Sequence, residues 1–194
     1  MSPRPPGRTL WLLRHAKTVA DPPDGGDDFD RVLAPRGRRD ATALGRLLTR
    51  RAGDGDGGDE GSALRGEPLP QLALVSPAAR TMATADLVLD GVTPPPGRLS
   101  PADLYGAEPE EVLHHLRGLD DGLESVMVVG HNPTAQALAL GLLGQKDEDR
   151  ETIVRRGFPT CALGIYRLEV ARWAEVEGEC AVLSVLLTPP FDQG

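Results

Sequence analysis

Leu10-Trp11-Leu12-Leu13-Arg14-His15-Ala16-Lys17-Thr18 decides how the rest of the chain reads. Four apolar residues in a row fit a short buried strand. A histidine at the carboxyl end of such a strand is badly explained by packing, because in open α/β sheets the crevice beyond the strand ends is where ligands bind. Val126-Met127-Val128-Val129-Gly130-His131-Asn132-Pro133 has the same character, and a third junction reads Ser76-Pro77-Ala78-Ala79-Arg80-Thr81. Two histidines and two arginines, all at strand ends, are the residues of a phosphoryl-transfer site.

The remaining elements follow from periodicity. Residues 9–13, 72–75 and 125–129 are expected as strands, and 161–170 and 180–187 as a closing pair. In 36–50, Ala41, Leu44, Leu47 and Leu48 recur at helical spacing. Pro35 falls near the first turn of that helix, where its missing N–H costs little. Further helices are expected over 77–89, 108–119 and 133–143, the last with Asn132 as N-cap. Strands alternating with helices imply a mostly parallel sheet covered on both faces.

The chain has 194 residues, enough for a single domain with a real core. Residues 1–8, rich in Pro and Arg, are expected as a disordered leader before one domain over 9–194. The 23 Gly and 18 Pro concentrate in loops. Between 52 and 70 they join acidic residues in Gly53-Asp54-Gly55-Asp56-Gly57-Gly58-Asp59-Glu60-Gly61. This run breaks the order of a calcium loop and lacks its closing glutamate, so a flexible acidic surface insertion is expected. A formal net charge of −8 argues against nucleic-acid partners, and the apolar runs are too short for a membrane span. Cys161 and Cys180 form no metal-binding spacing, so a cytoplasmic enzyme with two reduced thiols is expected; a disulfide needs their strands to be neighbours.

Phosphoryl transfer requires neutralised oxygens and an aligned nucleophile. Arginine suits the first task because its planar fork bonds two oxygens at once, which makes Arg14 and Arg80 the candidates. Histidine suits the second, since neutral imidazole is a competent nucleophile near pH 7.

Taken in order, six blocks resemble the histidine phosphatase (phosphoglycerate mutase-like) superfamily, and within it the short SixA-type phosphohistidine phosphatase branch. They are Leu13-Arg14-His15-Ala16-Lys17-Thr18; Asp28-Phe29-Asp30-Arg31 leading to Arg36-Gly37-Arg38-Arg39-Asp40-Ala41; Ser76-Pro77-Ala78-Ala79-Arg80-Thr81; Leu104-Tyr105-Gly106; Gly130-His131-Asn132-Pro133; and Phe158-Pro159-Thr160. The match runs from about Leu10 to about Leu187. It implies a three-layer α/β/α sandwich with the site at the carboxyl edge of the sheet. It also implies that His15 is the residue phosphorylated, that His131 contacts the phosphoryl oxygens, and that water hydrolyses the intermediate without metal or cofactor. Lys17 and Thr18 match the branch and either meet substrate or order the loop. Asn132 touches substrate or caps its helix, and Ser76 orients Arg80 or the phosphate. His114 and His115 read as ordinary surface or boundary residues.

One departure concerns the general acid. Larger members of the superfamily supply a Glu, or an Asp beside the second histidine. Here Asn132 follows His131, and Leu99-Ser100-Pro101-Ala102-Asp103-Leu104-Tyr105-Gly106 offers no evident Glu. Asp103, Glu108 and the Asp residues after Lys17 are the fallback candidates. Without an acid an alcohol departs poorly, whereas a phosphoramidate nitrogen can be protonated before its bond to phosphorus breaks. General acid help is worth roughly 10² to 10⁴ in rate, which favours phosphohistidine on a signalling or phosphotransfer protein. The alternatives are a phosphatase of small phosphate esters or anhydrides, and a noncatalytic binder of phosphorylated partners. Both His and both Arg argue against the binder, which needs no nucleophile.

Overall fold

Alternate residues of the opening strand, β1 (Arg8–Arg14), enter two separate cores. Trp11 and Leu13 join one, Leu10 and Leu12 the other, and all four are almost wholly buried. A strand buried on both faces belongs inside a covered sheet. The computed structural model, which describes residues 7–50, 64–145 and 148–191, places it there. The other strands are β2 (Leu72–Val75), β3 (Gly97–Leu99), β4 (Ser125–Gly130), β5 (Leu163–Leu168) and β6 (Ala181–Leu187). Their order across the sheet is β3-β2-β4-β1-β5-β6. β1 pairs in parallel with β4, which pairs in parallel with β2, and β2 with β3. Only β5 runs against the rest, antiparallel to both β1 and β6.

Helices α1 (Pro35–Arg50) and α2 (Ala79–Leu89) cover the face that holds Trp11. Ala41, Leu44, Leu47 and Leu48, the stripe expected from spacing, are the residues α1 buries there. On the opposite face, α3 (Pro109–Arg117), α4 (Thr134–Gly141) and α5 (Glu148–Arg156) contribute Val112, Leu116, Leu138 and Ile153 to the second core. The architecture is a three-layer sandwich around a mostly parallel sheet. Among the described residues, no helix is long and apolar enough to cross a membrane.

Several boundaries differ from the sequence reading. Arg8, assigned there to the leader, is the first residue of β1, and its guanidinium donates to Ala171 O at 2.8 Å and Leu123 O at 2.9 Å. The acidic run lies for residues 51–63 outside the described residues. The end of the same stretch is no flexible surface segment, since Leu64 is fully buried and Glu67 nearly so. Pro68 O accepts from Trp11 Nε1 at 3.0 Å, which ties this stretch to the core tryptophan. Cys161 and Cys180 are both free thiols. They precede neighbouring antiparallel strands, but the register pairs Leu163 with Leu187 and Leu168 with Ala181, so the cysteines sit at opposite ends of the pair.

The chain beyond β1 is held down by α1. Ala34 N donates to Lys17 O at 2.9 Å, and a Cβ added at Gly37 would lie 2.1 Å from that same carbonyl oxygen. Backbone cannot yield as a side-chain tip can, so only glycine fits. Gly37→Ala is therefore expected to cost about 2 kcal/mol, a fall in Tm of roughly 4–8 °C in thermal unfolding. An unchanged Tm would contradict this packing.

Candidate active site

The parallel register brings the strand ends level. Arg14 is paired with Gly130 and Val75 with Val129, so His15, His131 and Ser76 each sit one residue beyond the sheet on the same edge. Backbone bonds continue the ladder there, from His15 N to Gly130 O and from Ser76 N to Val129 O, both 3.0 Å. The imidazole rings of His15 and His131 come within 5.3 Å, centroid to centroid.

Each histidine is held in one tautomer by its partners. His15 Nδ1 lies 2.8 Å from Ala16 O, and a carbonyl can only accept, so Nδ1 carries the proton and Nε2 a free lone pair. His131 Nδ1 accepts from Arg80 Nε at 3.2 Å, which leaves its Nε2–H to donate to Ser76 Oγ at 2.7 Å. Burial is the main force keeping both rings neutral. It pushes His15 down to about 4, helped by the charges of Arg80, Arg14 and Arg31 and opposed by the Ala16 bond. It pushes His131 down to about 3, with Arg80 the next cause.

Arg80, on the first turn of α2, is almost buried. Its Nη2 meets Asp28 Oδ2 at 2.9 Å and its Nη1 donates to Asp28 O. Asp28 starts a 3₁₀ turn, fixed by Phe29 N donating to Asp27 Oδ1 at 2.8 Å. The Asp28 carboxylate also accepts from Arg31 Nη1 at 2.9 Å and from Tyr105 Oη at 3.1 Å. Arg31 is the first cause that holds it at about 2, so Asp28 stays ionised at any ordinary pH. The Tyr105 ring packs edge-on against His131 at 5.8 Å and against Phe29 at 5.0 Å, with the Arg80 guanidinium 5.8 Å from its centroid.

Arg14 Nη1 donates to Phe158 O at 2.8 Å, and Asn132 Nδ2 donates to the same oxygen at 3.1 Å. Asn132 is thus not the cap of its helix. Pro133 occupies the N-cap position with no side-chain bond, and the Asn132 amide is drawn instead to the Phe158 backbone. Two buried polar atoms here, Arg14 Nε and Asn132 Oδ1, have no partner among the described residues. The Ser76 hydroxyl contacts His131, the same ring that accepts from Arg80. Thr18 is buried, and its Oγ1 accepts from Arg31 Nη2 at 2.5 Å, while Lys17 is exposed. Among the described residues, no group of three or more His, Cys, Asp or Glu could hold a metal ion.

Beside this edge lies a cleft of about 230 Å³, lined by Asp28, Arg80, Tyr105, Glu108, His131 and Asn132 and backed by apolar residues of α3 and α4, but not by His15. Of the fallback acids, Asp103 is engaged by His115, Oδ2 to Nε2 at 3.0 Å. Glu108 lies in the cleft. Tyr105, Arg31 and the role of Asp28 were not identified from sequence. Their only signal was membership of ordered blocks, because the contacts that place them span loops.

No family model matches the chain. Its sequence is 35% identical to the uncharacterized protein Rv1276c of Mycobacterium tuberculosis over 173 residues, covering 88% of this chain and 96% of that protein. Two solved structures assigned as SixA phosphohistidine phosphatases share its fold. The one from Nakamurella multipartitia is 27% identical with a TM-score of 0.72, covering 95% of this chain and 97% of the other. The one from Agrobacterium tumefaciens is 26% identical with a TM-score of 0.71, covering 94% and 98%. The chain belongs to the histidine phosphatase (phosphoglycerate mutase-like) superfamily, in its SixA-type branch.

The depressed histidines set a pH dependence. Their folded values lie below the ordinary 6.5, so the folded state binds fewer protons than the unfolded chain. Their contribution to stability is complete above about pH 6.5. It is lost as pH falls toward 4 for His15 and 3 for His131. Imidazole titration by NMR is expected to give midpoints for both well under 6.5, with unfolding free energy declining over the same interval. A midpoint near 6.5 for either ring would overturn the burial account.

Proposed function

We propose that the protein is a metal-independent phosphatase that works through a phosphohistidine on His15, with phosphohistidine of a phosphorylated protein as its substrate. The observation that carries this reading is His15 itself, neutral, with its proton pinned on Nδ1 and the Nε2 lone pair beside His131 and Arg80. In the first step the Nε2 pair forms a bond to phosphorus as the bond to the leaving nitrogen breaks and its electron pair returns to that nitrogen. The ring of His15 then carries a positive charge, which the Ala16 carbonyl stabilises through Nδ1–H. Arg14 and Arg80 bear on the phosphoryl oxygens, His131 joins them by turning its Nε2–H from Ser76 Oγ to the phosphoryl group, and Asn132, on the cleft wall, and the exposed Lys17 are substrate contacts. Ser76 acts by orienting His131, and Thr18 by holding Arg31. In the second step water forms the new bond to phosphorus, the pair returns to Nε2, and the water proton leaves with the product phosphate.

The choice of substrate rests on the leaving group. Asp28 is ionised and cannot donate a proton, and Asp103 is engaged by His115. This supports a phosphoramidate, whose nitrogen departs without an acid from the enzyme. A second reading, hydrolysis of small phosphate esters, draws on Glu108, which lines the cleft and would serve as the acid.

Phosphate release from a phosphohistidine protein and from an alkyl phosphate separates the two. The expected outcome is preference for phosphohistidine, lost by a factor of about 10³ or more in His15→Ala and about 10² to 10³ in His131→Ala. Faster turnover of the alkyl ester, abolished in Glu108→Gln, would favour the second reading.

A further inference from the structure

The phosphoryl transfer gives Asp28 no task, yet it is among the most elaborately held side chains at the site. It lies on the cleft wall with Arg80, Tyr105 and His131. A negative charge beside a phosphate pocket repels the substrate's own oxygens, so its presence calls for a cation to offset it. The arginines offset part of that charge, but they are also the groups a phosphate needs.

An ionised carboxylate offers about four acceptor positions. On Asp28, Oδ2 takes Arg80 and Tyr105, and Oδ1 takes Arg31. One position remains on Oδ1, and the side chain is half exposed, at 54%. An in-line displacement sends the leaving group to the side away from the nucleophile. The cleft fits that side: Arg80 and His131 line it and His15 does not. Its size suits a single ring rather than a larger ligand.

We propose that Asp28 is a specificity-determining residue that accepts a hydrogen bond from the far ring N–H of the departing imidazolium. The assignment rests on the phosphohistidine reading above. Phosphorylated imidazole that is protonated on its far nitrogen carries a positive ring beside its anionic phosphoryl group, and the ring leaves as neutral imidazole when the P–N bond breaks, the pair going to the nitrogen that held phosphorus. Asp28 favours that protonated, labile form without supplying the proton. The arrangement matches His15, whose own far nitrogen donates to Ala16 O, so donor and acceptor imidazoles are held alike. An alkyl or aryl ester has no such N–H and meets the same carboxylate as a repelling charge. One fixed anion thereby separates the two substrate classes. Tyr105 keeps it in position by donating to Oδ2.

The test measures kcat/KM for phosphoimidazole and for 4-nitrophenyl phosphate in the wild type, Asp28→Asn and Asp28→Glu. The asparagine keeps the size and loses the charge. The ratio of the two constants is expected to fall by roughly tenfold or more in Asp28→Asn, the scale of one hydrogen bond to a charged group, and to recover in part in Asp28→Glu. Equal losses on both substrates, total loss included, would overturn the assignment, because Asp28 would then act only by holding Arg80. A wild type that hydrolyses the aryl ester and ignores phosphoimidazole would overturn the phosphohistidine reading itself.

Discussion

The parallel pairing of β1 with β4 is the constraint on which the site depends. Arg14 stands opposite Gly130, so the two residues that follow, His15 and His131, leave the sheet side by side. A shift of one residue in register would turn every side chain of β1 to the other face. Leu10 and Leu12 would exchange cores with Trp11 and Leu13, and neither core has room for the substitution. The hydrophobic pattern of four residues thus positions two imidazoles that make no part of that core.

Electrostatics follow from the same placement. The protein carries a formal charge of −8, yet its sheet edge gathers Arg14, Arg31 and Arg80 around two neutral rings. The arginines and burial act in the same direction on the histidines, and Arg80 acts twice, as a charge and as the donor that fixes the His131 tautomer. Asp28 opposes Arg80 at close range. The result is an edge whose positive charge is fixed in place by its own hydrogen bonds, and charge held in that way needs little reorganisation to meet an anion.

Much of this was legible in the sequence where local pattern dictates structure. β2 has the predicted bounds, and the apolar stripe of α1 is the one its spacing marked. β3 and α5 were not foreseen. The three residues of β3 are all exposed, and α5 buries only Ile153, so neither carries a hydrophobic period strong enough to read. The same divide runs through the site. Arg14, His15, Arg80 and His131 sit at strand ends and helix starts, and the structure brings them to one edge. Ser76 and Thr18 reach partners that no local rule names, and Asp28 joins residues 52 and 77 positions away along the chain. Tertiary approach between loops decides such contacts, and a single sequence does not encode them as a period.

Cys161 sits immediately past this edge in a left-handed conformation, φ 64°, with its N–H on the carbonyl oxygens of Arg14 and His15. Its backbone closes the end of β1 while its side chain is turned into the core, where burial drives the thiol far above its usual pKa. Thiolate is the species that peroxide and alkylating agents attack. Burial raises the Cys180 thiol as well, so at both cysteines, one of them beside His15, the protonated thiol is favoured over the thiolate. The sulfur beside His15 therefore serves the packing of the core in its protonated form.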